Sequence, residues 1–169
     1  MFSLNAPLPS AVPRLALDLA AELPAADARP RGEHTLLLKR LGDGADGRAD
    51  HLVHDARDAL SGTAPFEVRI SGVDLFEIPT TGPAPVVYLA VESPGLDALH
   101  DRLCARFDPV PRLEGDDFTP HVTVARGGDL ETARRLASRS IDPIDFVVDT
   151  VALWDAYHKV EAARFSLPM

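Results

Sequence analysis

The sequence predicts an α+β fold of two lobes, in which two antiparallel sheets face a central cleft and carry their helices on the outside. Two observations predict it. Strand-like and helix-like segments follow one another in the order β-α-β-α-β-β-β-α-β-α-β-β, which amounts to roughly two rounds of one unit. Each half also contains one apolar, histidine-bearing strand, around His34 and around His121. We therefore expect residues 1–169 to form a single domain of two pseudo-symmetric lobes.

In the first half, apolar spacing and capping signals define the elements. Ser10 can cap a helix in which Leu15, Leu19 and Leu23 recur every four residues and form one apolar face. Three glycines and two aspartates mark an exposed turn at 42–47. The predicted elements are a strand at 2–6, a helix ending before position 24, a loop at 25–32, a strand at 35–41 and a helix at 50–60.

In the second half, three turn or helix-start signals separate the apolar runs. Gly72 interrupts one strand-like run, the pair Ser93-Pro94 begins a helix, and Asp129 caps another helix that ends near position 138. The acidic segment 108–119 reads as a loop that leads into the strand of His121. The predicted strands are 66–70, 73–78, 86–91, the run from 121, 146–154 and 160–167.

The charge composition restricts the class of ligand. The chain has a net charge of −9, with 18 Asp, 8 Glu, 15 Arg and only 2 Lys. A strongly negative surface repels polyanions, so this composition argues against a protein that binds nonspecifically along a long nucleic acid through a basic face. A small phosphorylated ligand or the end of an RNA fits the chain if its positive charges are concentrated in one place.

Other sequence features predict a cytoplasmic protein without a cofactor. No apolar run approaches the length of a membrane span, and the single Cys104 fits a reducing compartment. Nucleotide-binding glycine loops and acidic metal clusters are absent from the sequence. His51 and His54 have a spacing that could chelate a metal, but a zinc site needs a third ligand. We expect His100 on a helix surface and His158 in a surface turn.

The most informative stretch is Phe-Thr-Pro-His-Val-Thr-Val-Ala-Arg at 118–126. Successive side chains of a strand point to opposite faces, so His121 and Thr123 share one face while Val122 and Val124 bury the other. An imidazole titrates near neutrality, a hydroxyl can donate to a phosphoryl oxygen, and Arg126 offers a planar guanidinium. These residues are suited to binding a phosphate and moving a proton.

This stretch, together with the histidine-bearing segment 33–42 and the chain length, resembles the 2H phosphoesterases, and most closely their 2′-5′ RNA ligase-like, cyclic phosphodiesterase group. The likeness covers nearly the whole chain. It implies metal-independent cleavage or ligation at a 2′,3′-cyclic or 2′-5′ phosphodiester linkage, without a cofactor. It also implies RNA ends or small cyclic-phosphate nucleotides as partners, and neither a protein partner nor a membrane.

The resemblance implies that His34 and His121 form the catalytic pair, one acting as general base and the other as general acid on opposite sides of the phosphorus. In a regular strand Lys39 shares a face with Thr35, whereas Arg40 shares one with His34, so only one of the two cations faces the cleft. The residues implied to bind the substrate phosphate are Thr123, Thr35, Arg126, Lys39 and Arg40.

The first motif departs from the pattern of the resemblance. Family members usually read His, apolar, Thr or Ser, whereas here Thr35 follows His34 directly. A β-bulge near His34 would let both residues serve the same site. An alignment on Leu41-Gly42 would instead put Thr35 in the place of the histidine.

Two non-catalytic functions compete with the enzyme. The irregular first motif favours a module that binds phosphorylated RNA ends or nucleotides in the same cleft. A protein-interaction domain that has lost its ligand is a third interpretation, against which the intact motif around His121 argues. Geometry separates these functions, because a two-histidine enzyme must point both rings into one cleft.

Overall fold

The structure is a computed structural model that describes residues 1–43 and 49–169. Within these ranges it contains nine strands and four helices. The helices are α1 (Ala11–Ala20), α2 (Ala49–Leu60), α3 (Pro94–Arg106) and α4 (Leu130–Ala137). The strands are β1 (Phe2–Ala6), β2 (Asp27–Ala28), β3 (Leu36–Gly42), β4 (Phe66–Phe76), β5 (Val86–Glu92), β6 (His121–Arg126), β7 (Ile144–Val148), β8 (Thr150–Asp155) and β9 (Val160–Ser166).

The strands form two antiparallel sheets, which confirms the predicted fold class. The four-stranded sheet has the order β3-β1-β8-β9, and the five-stranded sheet has the order β2-β6-β5-β4-β7. Asp149 alone separates β7 from β8, so the chain passes from one sheet to the other at a single residue.

The helices cover the sheets away from the cleft. Helix α1 packs on β6, and α4 packs on β4 and β5. Helix α3 contacts β3 of one sheet and β4 of the other, and α2 packs on α3 and β9. None of the helices in the described ranges is long and apolar enough to cross a membrane.

Two of the three predicted helix caps are formed. The Ser93 hydroxyl accepts from the Leu96 N–H at 3.1 Å, and the Asp129 carboxylate accepts from the Thr132 N–H at 2.8 Å. Ser10 precedes α1 as expected, but its side chain makes no capping hydrogen bond, because its backbone is already in the helical conformation. The start of α1 therefore depends on the packing of its apolar face rather than on a cap.

The structure differs from the sequence-based elements in three further places. Strand β4 continues through Gly72 as one strand, because a register shift against β5 accommodates the glycine. The predicted loop 25–32 contains the short strand β2, and the predicted strand 146–154 is divided at Asp149 between the two sheets. Most of the predicted turn at 42–47 lies outside the described residues.

Register shifts in β3 and β6 matter for the site. Leu4 pairs with Lys39 while Asn5 pairs with Leu37, which leaves Leu38 as an extra residue in β3. Val87 pairs with Ala125 while Tyr88 pairs with Thr123, so β6 has an extra residue in the same way. An extra residue reverses the alternation of side chains. Side chains three positions apart across the shift therefore lie on the same face.

Candidate active site

A cavity of about 230 Å³ lies where the two sheets meet, and we call it the cleft. Strand β3 of one sheet and β6 of the other form two of its walls. The remaining walls come from the end of β4, Val86 of β5, the segment 78–81, the loop 112–119 and Arg29.

The two strands contribute side chains to the cleft in the same pattern. Strand β6 contributes three cleft residues, and the segment around β3 contributes three at identical spacing: His121, Thr123 and Arg126 on one side, and Thr35, Leu37 and Arg40 on the other. Each set spans positions i, i+2 and i+5, with the register shift between its second and third members. The pattern therefore matches Thr35 to His121, Leu37 to Thr123 and Arg40 to Arg126.

His121 is held as a neutral base. Its Nδ1 lies 2.6 Å from the carbonyl oxygen of Thr119, and a carbonyl oxygen can only accept a hydrogen bond. Nδ1 therefore carries the proton, and Nε2 keeps a free lone pair. Burial, which outweighs the Thr119 bond, and the nearby charges of the cleft arginines lower the pKa of His121.

Two aromatic rings fix the orientation of the His121 imidazole. Phe76 meets it nearly edge-on, with ring centroids 5.3 Å apart, and Tyr88 packs at the same distance with a 60° tilt. Burial, with the Asp74 carboxylate beside it, raises the pKa of Tyr88 to about 12. Tyr88 is therefore a neutral packing partner at physiological pH and does not compete with His121 as a base.

The cleft concentrates positive charge in an acidic protein. Four arginines line it, and Asp117 is the single carboxylate among the lining residues. Burial and the proximity of two like charges lower the pKa of Arg126, whose Nη1 donates to the Thr81 carbonyl at 3.1 Å. Such a cluster favours an anionic ligand. The four are Arg29, Arg40, Arg112 and Arg126.

His34 lies beside the cleft rather than on its wall. It is half-buried and is not among the residues that line the cleft. Within the described residues neither ring nitrogen has a hydrogen-bond partner, and both are shielded from solvent. Burial and the neighbouring Arg29 charge lower the pKa of His34. The structure thus brings Thr35, the next residue, to the cleft with His121, and not the His34 ring.

Of the two neighbouring cations, Arg40 lines the cleft and Lys39 does not. Strict alternation would have grouped Lys39 with Thr35 and Leu37, but the extra residue Leu38 turns Lys39 inward. Lys39 is fully buried, and its Nζ bonds the Glu114 carboxylate at 2.6 Å. Because that charge is neutralised inside the protein, the structure places Lys39 outside the phosphate site that the sequence predicted.

The buried Glu114 attaches the loop 108–119 to β3. Its second oxygen accepts the Arg40 N–H at 2.7 Å, and the oxygen that faces Lys39 also accepts the Val110 N–H at 2.9 Å. His100 adds a second attachment, because its Nδ1 bonds the Leu38 carbonyl at 2.8 Å and its Nε2 accepts the Gly115 N–H at 3.0 Å. This loop contains Thr119, which sets the tautomer of His121.

Sequence reasoning missed several residues of the site. Arg29 and Arg112 lie in segments read only as loops, and no local pattern distinguishes them from surface arginines. Glu114 lies in the acidic segment 108–119, where nothing in the sequence distinguishes it from its exposed acidic neighbours. The prediction that His100 lies on a helix surface is wrong, because its side chain is only 1% exposed. Within the described ranges no cluster of three or more His, Cys, Asp or Glu side chains could hold a metal ion.

Comparison with known proteins identifies the family. The family model of the 2′-5′ RNA ligase superfamily matches residues 32–159. An RNA 2′,3′-cyclic phosphodiesterase of Methanothermobacter thermautotrophicus is 34% identical over 90 residues, which are 53% of this chain and 48% of that protein. The chain thus spans about half the length of this curated relative.

Solved structures share the fold at low identity. A phosphoesterase superposes with a TM-score of 0.69 at 19% identity, covering 99% of this chain and 98% of its own. E. coli LigT in complex with 3′-AMP superposes with a TM-score of 0.68 at 18% identity, with coverage of 99% and 98%. A protein of Thermus thermophilus gives 0.63 at 20% identity, with 98% and 97% covered. The resemblance read from the motif around His121 is confirmed, and the chain belongs to the 2′-5′ RNA ligase superfamily.

Proposed function

We propose that this chain is a phosphodiesterase that acts without a metal on 2′,3′-cyclic or 2′-5′ linkages of RNA ends or nucleotides. The observation that carries the proposal is the convergence of His121, Thr123 and four arginines on one cleft. The name of the Methanothermobacter relative and the 3′-AMP bound by LigT support a ligand of this kind.

In this proposal His121 moves the proton and the polar residues hold the phosphate. The free Nε2 takes a proton from the attacking water or hydroxyl. The Thr123 hydroxyl and the guanidinium of Arg126 donate to phosphoryl oxygens and offset the negative charge that grows in the transition state. The sequence-based pairing of His121 with His34 remains a prediction that a single substitution tests.

A module that binds but does not cleave is the second candidate. The specific observation in its favour is that Thr35 and Leu37, rather than a second histidine, face His121 and Thr123 in the cleft. Such a module would recognise the same phosphorylated ends through Thr123 and the arginines.

The test is hydrolysis of an RNA with a 2′,3′-cyclic end, and of a 2′-5′-linked dinucleotide, in the presence of EDTA. We expect turnover by the wild type, a loss of about 10²–10⁴-fold in His121→Ala, and little change in His34→Ala. An equal loss in both variants would establish the two-histidine mechanism. Ligand binding without turnover in the wild type would identify the binding module, and inhibition by EDTA would contradict metal-independent action.

A further inference from the structure

We propose that the cleft cleaves phosphodiester linkages whose leaving oxygen departs without receiving a proton, and that its preferred substrate class is a phosphoanhydride joining two phosphoryl groups. The proposal rests on the proposed function, because it uses the same cleft and the same base. Three features support it: a single imidazole, an apolar residue opposite Thr123, and more cationic groups than one phosphate needs.

The first feature is the chemistry of the matched positions. His121 and Thr35 occupy equivalent places in the two i, i+2, i+5 sets, but a threonine hydroxyl is far too weak an acid to protonate a departing alkoxide near neutrality. His34 is not among the residues that line the cleft, and within the described residues neither of its ring nitrogens has a hydrogen-bond partner. Among the cleft residues, proton transfer near neutral pH is therefore left to His121.

The second feature is the apolar partner of Thr123. Leu37 occupies the matched position on β3, where its side chain has no group that can donate to a phosphoryl oxygen. At this pair of matched positions the hydroxyl contact to the reacting phosphate is therefore made by Thr123 alone. A further anchor on the substrate is needed to hold the phosphorus in line with its attacking water.

The third feature is the surplus of positive charge. Arg40 and Arg126 form the matched pair, and Arg29 and Arg112 add two more guanidinium groups to the same cleft. The nearby carboxylates do little to neutralise these charges. Asp117 is exposed to solvent, and Glu114, which lies 3.6 Å from Arg40, is already bonded by Lys39. A cyclic phosphodiester carries one negative charge, whereas a phosphoanhydride diester carries two on adjacent groups. The second phosphoryl group would supply the missing anchor.

The chemical step balances without a general acid. His121 Nε2 removes a proton from water as the water oxygen forms a bond to one phosphorus. The bond from that phosphorus to the bridging oxygen breaks, and its electron pair stays on the bridging oxygen of the departing phosphate monoester. That oxygen belongs to a stable anion and needs no proton in order to leave. The proton on His121 then passes to solvent, and the products are two phosphate monoesters.

The test compares P1,P2-di(adenosine-5′) diphosphate with adenosine 2′,3′-cyclic phosphate at pH 7.5 with EDTA. We expect kcat/KM of the wild type to be at least about tenfold higher for the anhydride, since general acid assistance is usually worth more than that for an alkoxide leaving group. Thr35→His would add the missing acid. It should raise turnover of the cyclic phosphate at least about tenfold relative to turnover of the anhydride, and make the pH profile for the cyclic phosphate bell-shaped.

Thr35→Asn is the matched control for Thr35→His, because the asparagine amide occupies space similar to that of the imidazole but does not titrate. Equal rates of the wild type on the two substrates, or a cyclic-phosphate rate that Thr35→His and Thr35→Asn change alike, would overturn the inference. Turnover of the cyclic phosphate that depends on His121, without any turnover of the anhydride, would overturn this inference and leave the proposed function intact. Absence of turnover on both substrates would contradict both.

Discussion

Replacement of Glu114 by alanine is expected to lower the free energy of unfolding by about 3–5 kcal/mol, because it leaves a buried ammonium group without its partner. The Glu114 side chain and that of Lys39 are both fully shielded from solvent. Burial opposes ionisation of the carboxyl, but the Lys39 ammonium and two backbone N–H groups outweigh it, so that the pKa of Glu114 lies below its usual value. The alanine variant would also leave the N–H groups of Arg40 and Val110 without their acceptor.

Urea unfolding monitored by circular dichroism measures this effect, with the slope of the transition as a check on two-state behaviour. Glu161→Ala is the matched control, since Glu161 forms a surface ion pair with Arg164 and should contribute less than about 1 kcal/mol. Lys39→Met should destabilise strongly for the converse reason, by leaving the carboxylate buried without its cation. A loss in Glu114→Ala no larger than in the surface control would mean that the pair does not hold the loop 108–119 in place.

Under the proposed function, the rate of phosphodiester cleavage is expected to fall about tenfold for each pH unit below the pKa of His121, because the proposed base accepts a proton only when it is neutral. Burial and the arginine charges lower the pKa of His121, so the midpoint of kcat/KM against pH should lie below the usual histidine value of about 6.5. Above the midpoint the rate should level off, and two pH units below it the loss should be about a hundredfold.

Arg40→Gln tests the physical cause of this profile. Removal of one positive charge near His121 makes protonation easier, so the midpoint should move to higher pH even if substrate binding weakens. Arg164→Gln removes a surface charge that is not among the causes of the shift, and its midpoint should equal that of the wild type. A midpoint that Arg40→Gln leaves unchanged would show that the titrating group is not His121 beside Arg40.

Much of the fold could be predicted from the sequence because helix caps and apolar spacing are local features of the chain. Ser93 and Asp129 cap their helices as their positions predict, and leucines at helical spacing form most of the buried face of α3. Helix α1 ends at Ala20, before the predicted Leu23, and its buried residues are Val12, Ala16, Leu19 and Ala20. The interruption at Gly72 was misread, since only pairing with β5 reveals that the strand continues through it.

The residues of the site could be predicted only in part from the sequence, because their positions depend on pairing between strands that are distant in the chain. The motif of β6 placed His121 and Thr123 on one face and in the cleft. On β3 the choice between Lys39 and Arg40 depended on one extra residue, which is defined by the pairing with β1 and leaves no local mark in the sequence. Strand β3 begins at Leu36, after His34, so strand alternation did not govern where that ring points.

The contrast between an acidic exterior and an arginine-lined cleft has a consequence for the length of ligand that the protein accepts. The chain has a net charge of −9 although four of its arginines lie in the cleft, so the rest of the molecule is more negative than the total suggests. A short anion that enters the cleft meets mainly attraction, whereas a long strand must also lie along a repelling surface. Screening acts over about 8 Å at physiological salt. Salt therefore weakens the attraction for a short ligand while it relieves the repulsion of a long one, and low ionic strength sharpens the preference for short ligands.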